Sequence, residues 1–176
     1  MKSTGIIRRI DELGRIVIPK EIRNSLRLKS GESLEIFVTE EIITMRKFSM
    51  MNKISDLAQE LTDAMHTFMK NNIVITDLHT IIAASGELKK HIINKNISTF
   101  LSEKIEKREK MLESYLKEIE IIENEKYSCS YVTNPIIKDG ECIGLILIFS
   151  KENKLSIEQL QISNIVSSFI SRYLEE

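Results

Sequence analysis

Residues 5–26 read GIIRRIDELGRIVIPKEIRNSL, and the changes of pattern within them decide how the amino-terminal part of the chain folds. Ile6, Ile7 and Ile10 make a short β-branched run, Asp11-Glu12-Leu13-Gly14 carries turn chemistry, and Ile16-Val17-Ile18 resumes the run. Pro19 then sets φ near the helical value and lacks the N–H that a first helical turn leaves unpaired. Lys20 to Leu26 are therefore predicted as a short helix with Ile22 and Leu26 on one face. The predicted order is strand, turn, strand, helix. Arg8 falls on the first strand, Arg15 opens the second and Arg23 sits in the helix, so each is carried by a rigid element. A guanidinium is a permanent charge and a planar donor fork that can span O6 and N7 of guanine, but by themselves three exposed arginines read as solvated surface. Arg9, Lys2 and Lys20 add further positive charge to the same stretch. Arg27, Arg46 and Lys47 are assigned no role.

Further along, Lys29-Ser30-Gly31-Glu32 reads as a turn, Leu34 to Val38 as a strand, Thr39-Glu40-Glu41 as a turn and Ile42 to Phe48 as a returning strand. This closes a first domain, set at residues 1–50. A unit of about 50 residues buries little apolar surface by itself, so it is expected to need a partner. Residues 1–48 hold ten Lys/Arg against seven Asp/Glu, net +3, and residues 49–176 hold fifteen against nineteen, net −4. The overall charge of −1 conceals this asymmetry, which makes the amino-terminal part the candidate for a polyanion.

The string TGIIRRIDELGRIVIPKEIR resembles, nearly residue for residue, the AbrB/MazE swapped-hairpin DNA-binding family. That resemblance runs to about residue 48 and continues more loosely to the end of the chain, where it points to sporulation regulators of this type. It implies two chains that intertwine their hairpins into one dimeric β-barrel, with Arg8, Arg15 and Arg23 matching the family's DNA-contacting arginines and so the candidate base readers, and Arg9, Lys2 and Lys20 as candidate phosphate contacts, which position a protein on DNA without reading sequence. Asn24 stands where the family often has a further arginine and is carried as a DNA-facing position with one charge fewer.

From Lys53 the spacing of Ile54, Leu57, Ala58, Leu61, Met65, Phe68 and Met69 predicts an amphipathic helix, whose apolar stripe suits either an internal core or a subunit contact. Ile73 to Thr76 and Thr80 to Ala83 flank Asp77-Leu78-His79 as a hairpin, and a short helix is expected over Glu87 to Ile92. Ser98 is placed to cap a helix that buries Phe100, Leu101, Ile105 and Leu112, with Glu103/Lys107 and Glu106/Lys110 paired outside. Residues 115–127 are ambiguous, with Ile119 to Ile122 taken as strand. Tyr131 to Ile137 and Cys142 to Phe149 are predicted strands joined by a turn at Asp139-Gly140, and Gly144 is expected to mark a bulge or a close backbone approach. Ser156 with Gln159 makes a capping-box pattern before a helix striped by Ile162, Val166, Phe169, Ile170, Tyr173 and Leu174. The fold class is α+β.

This order is similar to a GAF domain, and the resemblance implies a C-terminal α/β sandwich over residues 53–176 used for oligomerisation or for sensing a small-molecule effector. The residue set associated with cyclic-nucleotide GAF domains is missing, so that ligand is not carried over.

The composition, 42% hydrophobic and 29% charged, is that of a globular protein, and no uncharged apolar stretch reaches the ~18 residues of a membrane span. The amino terminus has charges inside its apolar run, unlike a signal peptide, so a cytoplasmic location is expected. Cys129 and Cys142 lack CxxC or histidine patterns, and His66, His79 and His91 lack metal-ligand spacing, so neither metal nor cofactor is expected. Asp77, His79 and Ser85 lack a nucleophile-elbow motif, and no phosphate-binding glycine loop occurs. The reading is a non-enzymatic, sequence-specific regulator of transcription that binds double-stranded DNA, dimerises through its amino-terminal domain and forms a tetramer through its C-terminal helices. The alternative is an antitoxin-like DNA-binding autoregulator; capped helices and strands over 53–174 weigh against the disordered tail that it would need.

Overall fold

In the computed structural model, which describes residues 5–174, the turn predicted at Asp11 to Gly14 is closed by two backbone bonds. The Asp11 N–H donates to the Arg15 carbonyl and the Gly14 N–H to the Asp11 carbonyl, both at 3.0 Å, and Gly14 takes φ +74°. The runs on either side were expected to be strands; within one chain they form no ladder, and no closed barrel is made. The reason is that the remaining strands, β1 (Leu34–Thr39) and β2 (Ile42–Lys47), are paired with each other from Leu34↔Lys47 to Thr39↔Ile42. Ile6, Ile7, Ile10, Leu13, Ile16 and Val17 are accordingly left exposed to solvent.

Pro19 opens α1 (Lys20–Ser25). The helix stops one residue short of the expected Leu26, because Arg27 turns left-handed at φ +51°. Its N–H bonds the Asn24 carbonyl and the Leu28 N–H bonds the Arg23 carbonyl, the paired bonds of a Schellman ending with arginine in the place glycine usually holds. Contacts divide the chain into Met1–Phe48 and Ser49–Glu176. Among the described residues of the first unit, Pro19 alone is buried.

The second unit begins with a 3₁₀ turn at Met50–Ile54 and α2 (Ser55–Met69). Then come β3 (Asn72–Thr76), β4 (Ile81–Ser85), α3 (Lys89–Ile92) and α4 (Thr99–Glu106). Three long strands, β5 (Met111–Glu120), β6 (Lys126–Lys138) and β7 (Glu141–Ser150), precede α5 (Ile157–Tyr173). The strands form one antiparallel sheet in the order β4-β3-β7-β6-β5. Because side chains alternate along a strand, each strand feeds both faces. Ile73, Ile75, Val132, Ile136, Ile146 and Ile148 pack with Ala58, Met65, Val166 and Ile170 of α2 and α5. Val74, Leu145, Leu147, Phe149 and Tyr131 pack with Ile92, Leu101 and Ile105 of α3 and α4. The unit is a helix, sheet, helix sandwich with two apolar layers, and the layer under α3 and α4 is filled by its own buried side chains.

Ser98 accepts the Leu101 N–H at 3.2 Å, and the Ser156/Gln159 capping box forms at α5. Asp139 (φ +50°) and Gly140 (φ +78°) make the two-residue β6–β7 turn, both in the left-handed region that its twist demands. A Cβ on Gly144 would stand 2.2 Å from the Thr76 carbonyl oxygen, so the expected close backbone approach is real.

Two expectations are corrected. The helix begun by Ser98 was to run through Leu112, but Lys107 caps it and Arg108 turns left-handed at φ +51°. Leu112 therefore lies opposite Val132 in the β5–β6 ladder, and Lys110 falls beyond the helix that Glu106 occupies. The Glu103–Lys107 ion pair does form, at 3.3 Å. Secondly, β5 starts at Met111 and stops before Ile121: β6 pairs with it from Met111↔Thr133 to Glu113↔Tyr131 and again from Lys117↔Cys129 to Glu120↔Lys126, with a break in register between. The predicted stripes also split. Val166 and Ile170 are buried, while Phe169 and Tyr173 join Ile165 on an exposed side of α5; Phe68 of α2 is 81% exposed.

Candidate nucleic-acid interface

The charge of the first unit is arranged around Asp11. Its Oδ1 accepts the backbone N–H of Leu13 at 3.0 Å and of Arg15 at 2.7 Å, and its Oδ2 accepts Arg15 Nε at 2.7 Å. The Arg15 backbone N–H and guanidinium hold the Asp11 carboxyl below the usual carboxylate range. One carboxylate thus shapes the turn and orients Arg15. The sequence reading missed this role, although a signal was present: an aspartate that opens a turn four residues ahead of an arginine.

Arg8 donates from its guanidinium to the Ile7 carbonyl at 2.9 Å and is exposed. Arg9 is exposed beside it. Lys20 and Arg23 lie on α1 and are exposed, with Asn24 next to them, also exposed. Lys2 lies outside the described residues. The structure therefore places Arg8 and Arg9 ahead of the Asp11–Gly14 turn and Arg15 at its end, and Lys20, Arg23 and Asn24 on one short helix.

Two of the three cations left without a role, Arg46 and Lys47, are explained by the fold. Arg46 pairs with Glu35 at 2.9 Å across β1–β2 and lies over the Phe37 ring at 4.6 Å. Lys47 donates to the Arg27 carbonyl at 2.7 Å, tying the end of α1 to β2, and is 3.4 Å from Glu32. Cross-strand register, available only once the Glu40-Glu41 turn is placed, would have paired Glu35 with Arg46.

In the second unit Asp77 Oδ1 accepts the N–H groups of His79 at 2.7 Å and Thr80 at 2.6 Å, which spends it on a turn. Ser85 turns away to Asp63, Thr62 and Gln59. Its hydroxyl is the main reason the Asp63 carboxyl is held below its usual range. His66 contacts the Asn71 carbonyl, and His91 pairs with Glu125, each at 2.6 Å. Burial pushes the Cys129 thiol up to about 11. Among the described residues, no group of three His, Cys, Asp or Glu is placed to hold a metal, and no helix is long and apolar enough to cross a membrane.

Comparison with known proteins agrees with this division. The family described as stage V sporulation protein T C-terminal, transcription factor, matches residues 53–175, and the family described as antidote-toxin recognition MazE, bacterial antitoxin, matches residues 7–47. Stage V sporulation protein T of Bacillus subtilis (strain 168) is 37% identical over 178 residues, covering 100% of both chains. The transition state regulatory protein AbrB of the same organism is 44% identical over 63 residues, 36% of this chain and 65% of AbrB. Among solved structures, the A. aeolicus nlh2 GAF domain in an inactive state superposes with a TM-score of 0.54 at 13% identity, over 69% of this chain and 84% of that one; this likeness concerns the fold alone. With both units matched and full-length identity to a named relative, the chain belongs to the stage V sporulation protein T family of transcription factors.

Proposed function

We propose that the chain is a sporulation regulator that binds double-stranded DNA as a dimer of its amino-terminal units and acts by binding, without catalysis. The observation that carries this reading is the full-length match to a transcription factor family joined to an AbrB-like amino-terminal unit. In that unit Ile7, Leu13, Val17, Ile36 and Val38 are 86%, 75%, 74%, 62% and 71% exposed, a load of apolar surface that a second copy would cover. Burying each side chain fully is worth about 1.5–3 kcal/mol, so dimerisation and folding are coupled. Arg8, Arg15 and Arg23 are assigned to DNA reading, Arg9, Lys2 and Lys20 to phosphates, and Asn24 to the DNA-facing side of α1.

The exposed side of α5 at Ile165, Phe169 and Tyr173, with Phe68 of α2, is assigned to contacts between second units, giving a tetramer. Linking two DNA-binding dimers raises avidity by about 10²–10⁴ on two-site DNA without new contacts. An antitoxin role is not favoured, since residues 53–175 match a transcription factor model.

The test is a salt titration of DNA binding with Arg8→Ala, Arg15→Ala and Arg23→Ala. Log affinity should fall with log salt by about 0.9 for each phosphate neutralised. Each base-reading arginine should cost about 1–3 kcal/mol on specific DNA, with folding unchanged. A flat salt response, or full affinity in all three variants, refutes the reading.

A further inference from the structure

On the sheet face covered by α5, an open cleft of about 460 Å³ lies between that helix and the start of β5, lined among others by Lys110, Asn134, Asn164, Ser168, Ser171 and Arg172. Its floor is polar where a helix packed on a sheet would ordinarily be apolar. Asn134, only 2% exposed, donates through Nδ2 to Ser163 Oγ at 3.0 Å and to Asn164 Oδ1 at 2.9 Å, which fixes both amides. Ser167 Oγ donates to the Pro135 carbonyl at 2.7 Å and Ser171 Oγ to the Ser167 carbonyl at 2.9 Å, so the hydroxyl oxygens keep lone pairs for an incoming donor. These bonds hold the wall rigid.

Among the described residues, the ionisable groups that line the cleft are two cations, Lys110 and Arg172, with no carboxylate. This stands out in a unit whose residues 49–176 carry fifteen Lys/Arg against nineteen Asp/Glu. Neither cation forms an ion pair among the described residues, whereas Lys104, Lys107, Lys117 and Lys126 each have a glutamate partner. Like charges that face one cleft repel each other, and a bound anion relieves that repulsion while taking charge-assisted bonds from both. The volume is that of a small-molecule site.

We infer that this cleft binds a small polyhydroxylated organic anion, its phosphate or carboxylate held by Lys110 and Arg172 and its hydroxyls by Asn164, Ser168 and Ser171. The site is separate from the DNA-binding unit and does not rest on the reading of that unit.

Ribose 5-phosphate, gluconate, uncharged ribose and inorganic phosphate serve as probes, titrated into the full chain and followed by the side-chain amide resonances of Asn134 and Asn164. At least one of the two anions should shift these resonances saturably while ribose does not; which anion does so separates phosphate from carboxylate recognition. Lys110→Ala and Arg172→Ala should each weaken binding about tenfold. Ser168→Ala, at an exposed position, should keep the charge response and weaken only the hydroxyl-bearing probes relative to inorganic phosphate. No saturable shift of the Asn134 and Asn164 amides with either anion, or unchanged affinity in both cation variants, would overturn the inference.

Discussion

Gly144→Ala isolates one steric fact. The backbone φ at Gly144 is not in the left-handed region, so alanine meets no torsional barrier there; what it meets is Thr76, whose carbonyl oxygen would lie 2.2 Å and carbonyl carbon 3.3 Å from the new methyl. A methyl carbon and a carbonyl oxygen in contact sit about 3.3–3.6 Å apart, so β3 and β7 must separate by about 1 Å where Thr76 pairs with Leu145. The neighbour is backbone, and no rotamer change relieves it. Overpacking of this kind costs about 1–3 kcal/mol and a disturbed ladder bond about 1 kcal/mol, against about 0.4–1 kcal/mol recovered from the stiffer unfolded chain. The net loss is about 2–3 kcal/mol. The chain has no tryptophan, and its four tyrosines, Tyr115, Tyr127, Tyr131 and Tyr173, all lie in the second unit, so tyrosine fluorescence in urea reports that unit alone. At fixed protein concentration the midpoint should fall by about 1 M. Gly140→Ala is the control: its Cβ meets open space, and only the φ of +78° penalises it, by about 1 kcal/mol. A midpoint for Gly144→Ala equal to wild type, or less affected than that of Gly140→Ala, would refute the argument.

Ser98→Ala removes the acceptor of the Leu101 N–H and the donor to the Glu120 carbonyl, and should cost about 1–2 kcal/mol in the same urea assay. Asp63 has a depressed pKa in the folded state, so its stabilising contribution is complete above the unfolded value of 3.8 and is lost as pH falls through the folded value; Ser85→Ala should shrink this acid limb, and an unchanged pH profile would contradict the assignment. Burial first, and the Glu125 carboxylate second, push Tyr127 up to about 12, so the folded chain keeps a proton that the unfolded chain loses from about pH 10; stability should fall between about 10 and 12, and Tyr127→Phe should remove that fall. Asn24→Arg adds a charge beside Arg23 on α1 and should raise affinity for all DNA with little gain in discrimination; weaker binding to every sequence would show that this helix face does not approach DNA.

The sequence by itself determined whatever is encoded within a few residues. The Asp11–Gly14 turn, the Pro19 helix start, the Ser98 and Ser156 caps and the Asp139-Gly140 turn are all local, because φ preferences and capping oxygens act over one or two turns. The candidate arginines were legible for the same reason, since they sit in a contiguous family-specific string. Tertiary structure alone decided where competing local signals ended. The sequence reads as helix through Leu112 and as ambiguous over 115–127, and the strand from Met111 to Glu120 follows from Arg108 turning left-handed and from Lys126 to Thr133 of β6 lying alongside. Likewise Val166 and Phe169 share one apolar stripe, yet the sheet covers the first and leaves the second exposed. The polar cleft at Asn134 and Arg172 joins residues thirty-eight positions apart, and the pairing of Arg46 with Glu35 depends on hairpin register. Such features depend on which surfaces meet in space, and a periodicity read along the chain carries no record of that.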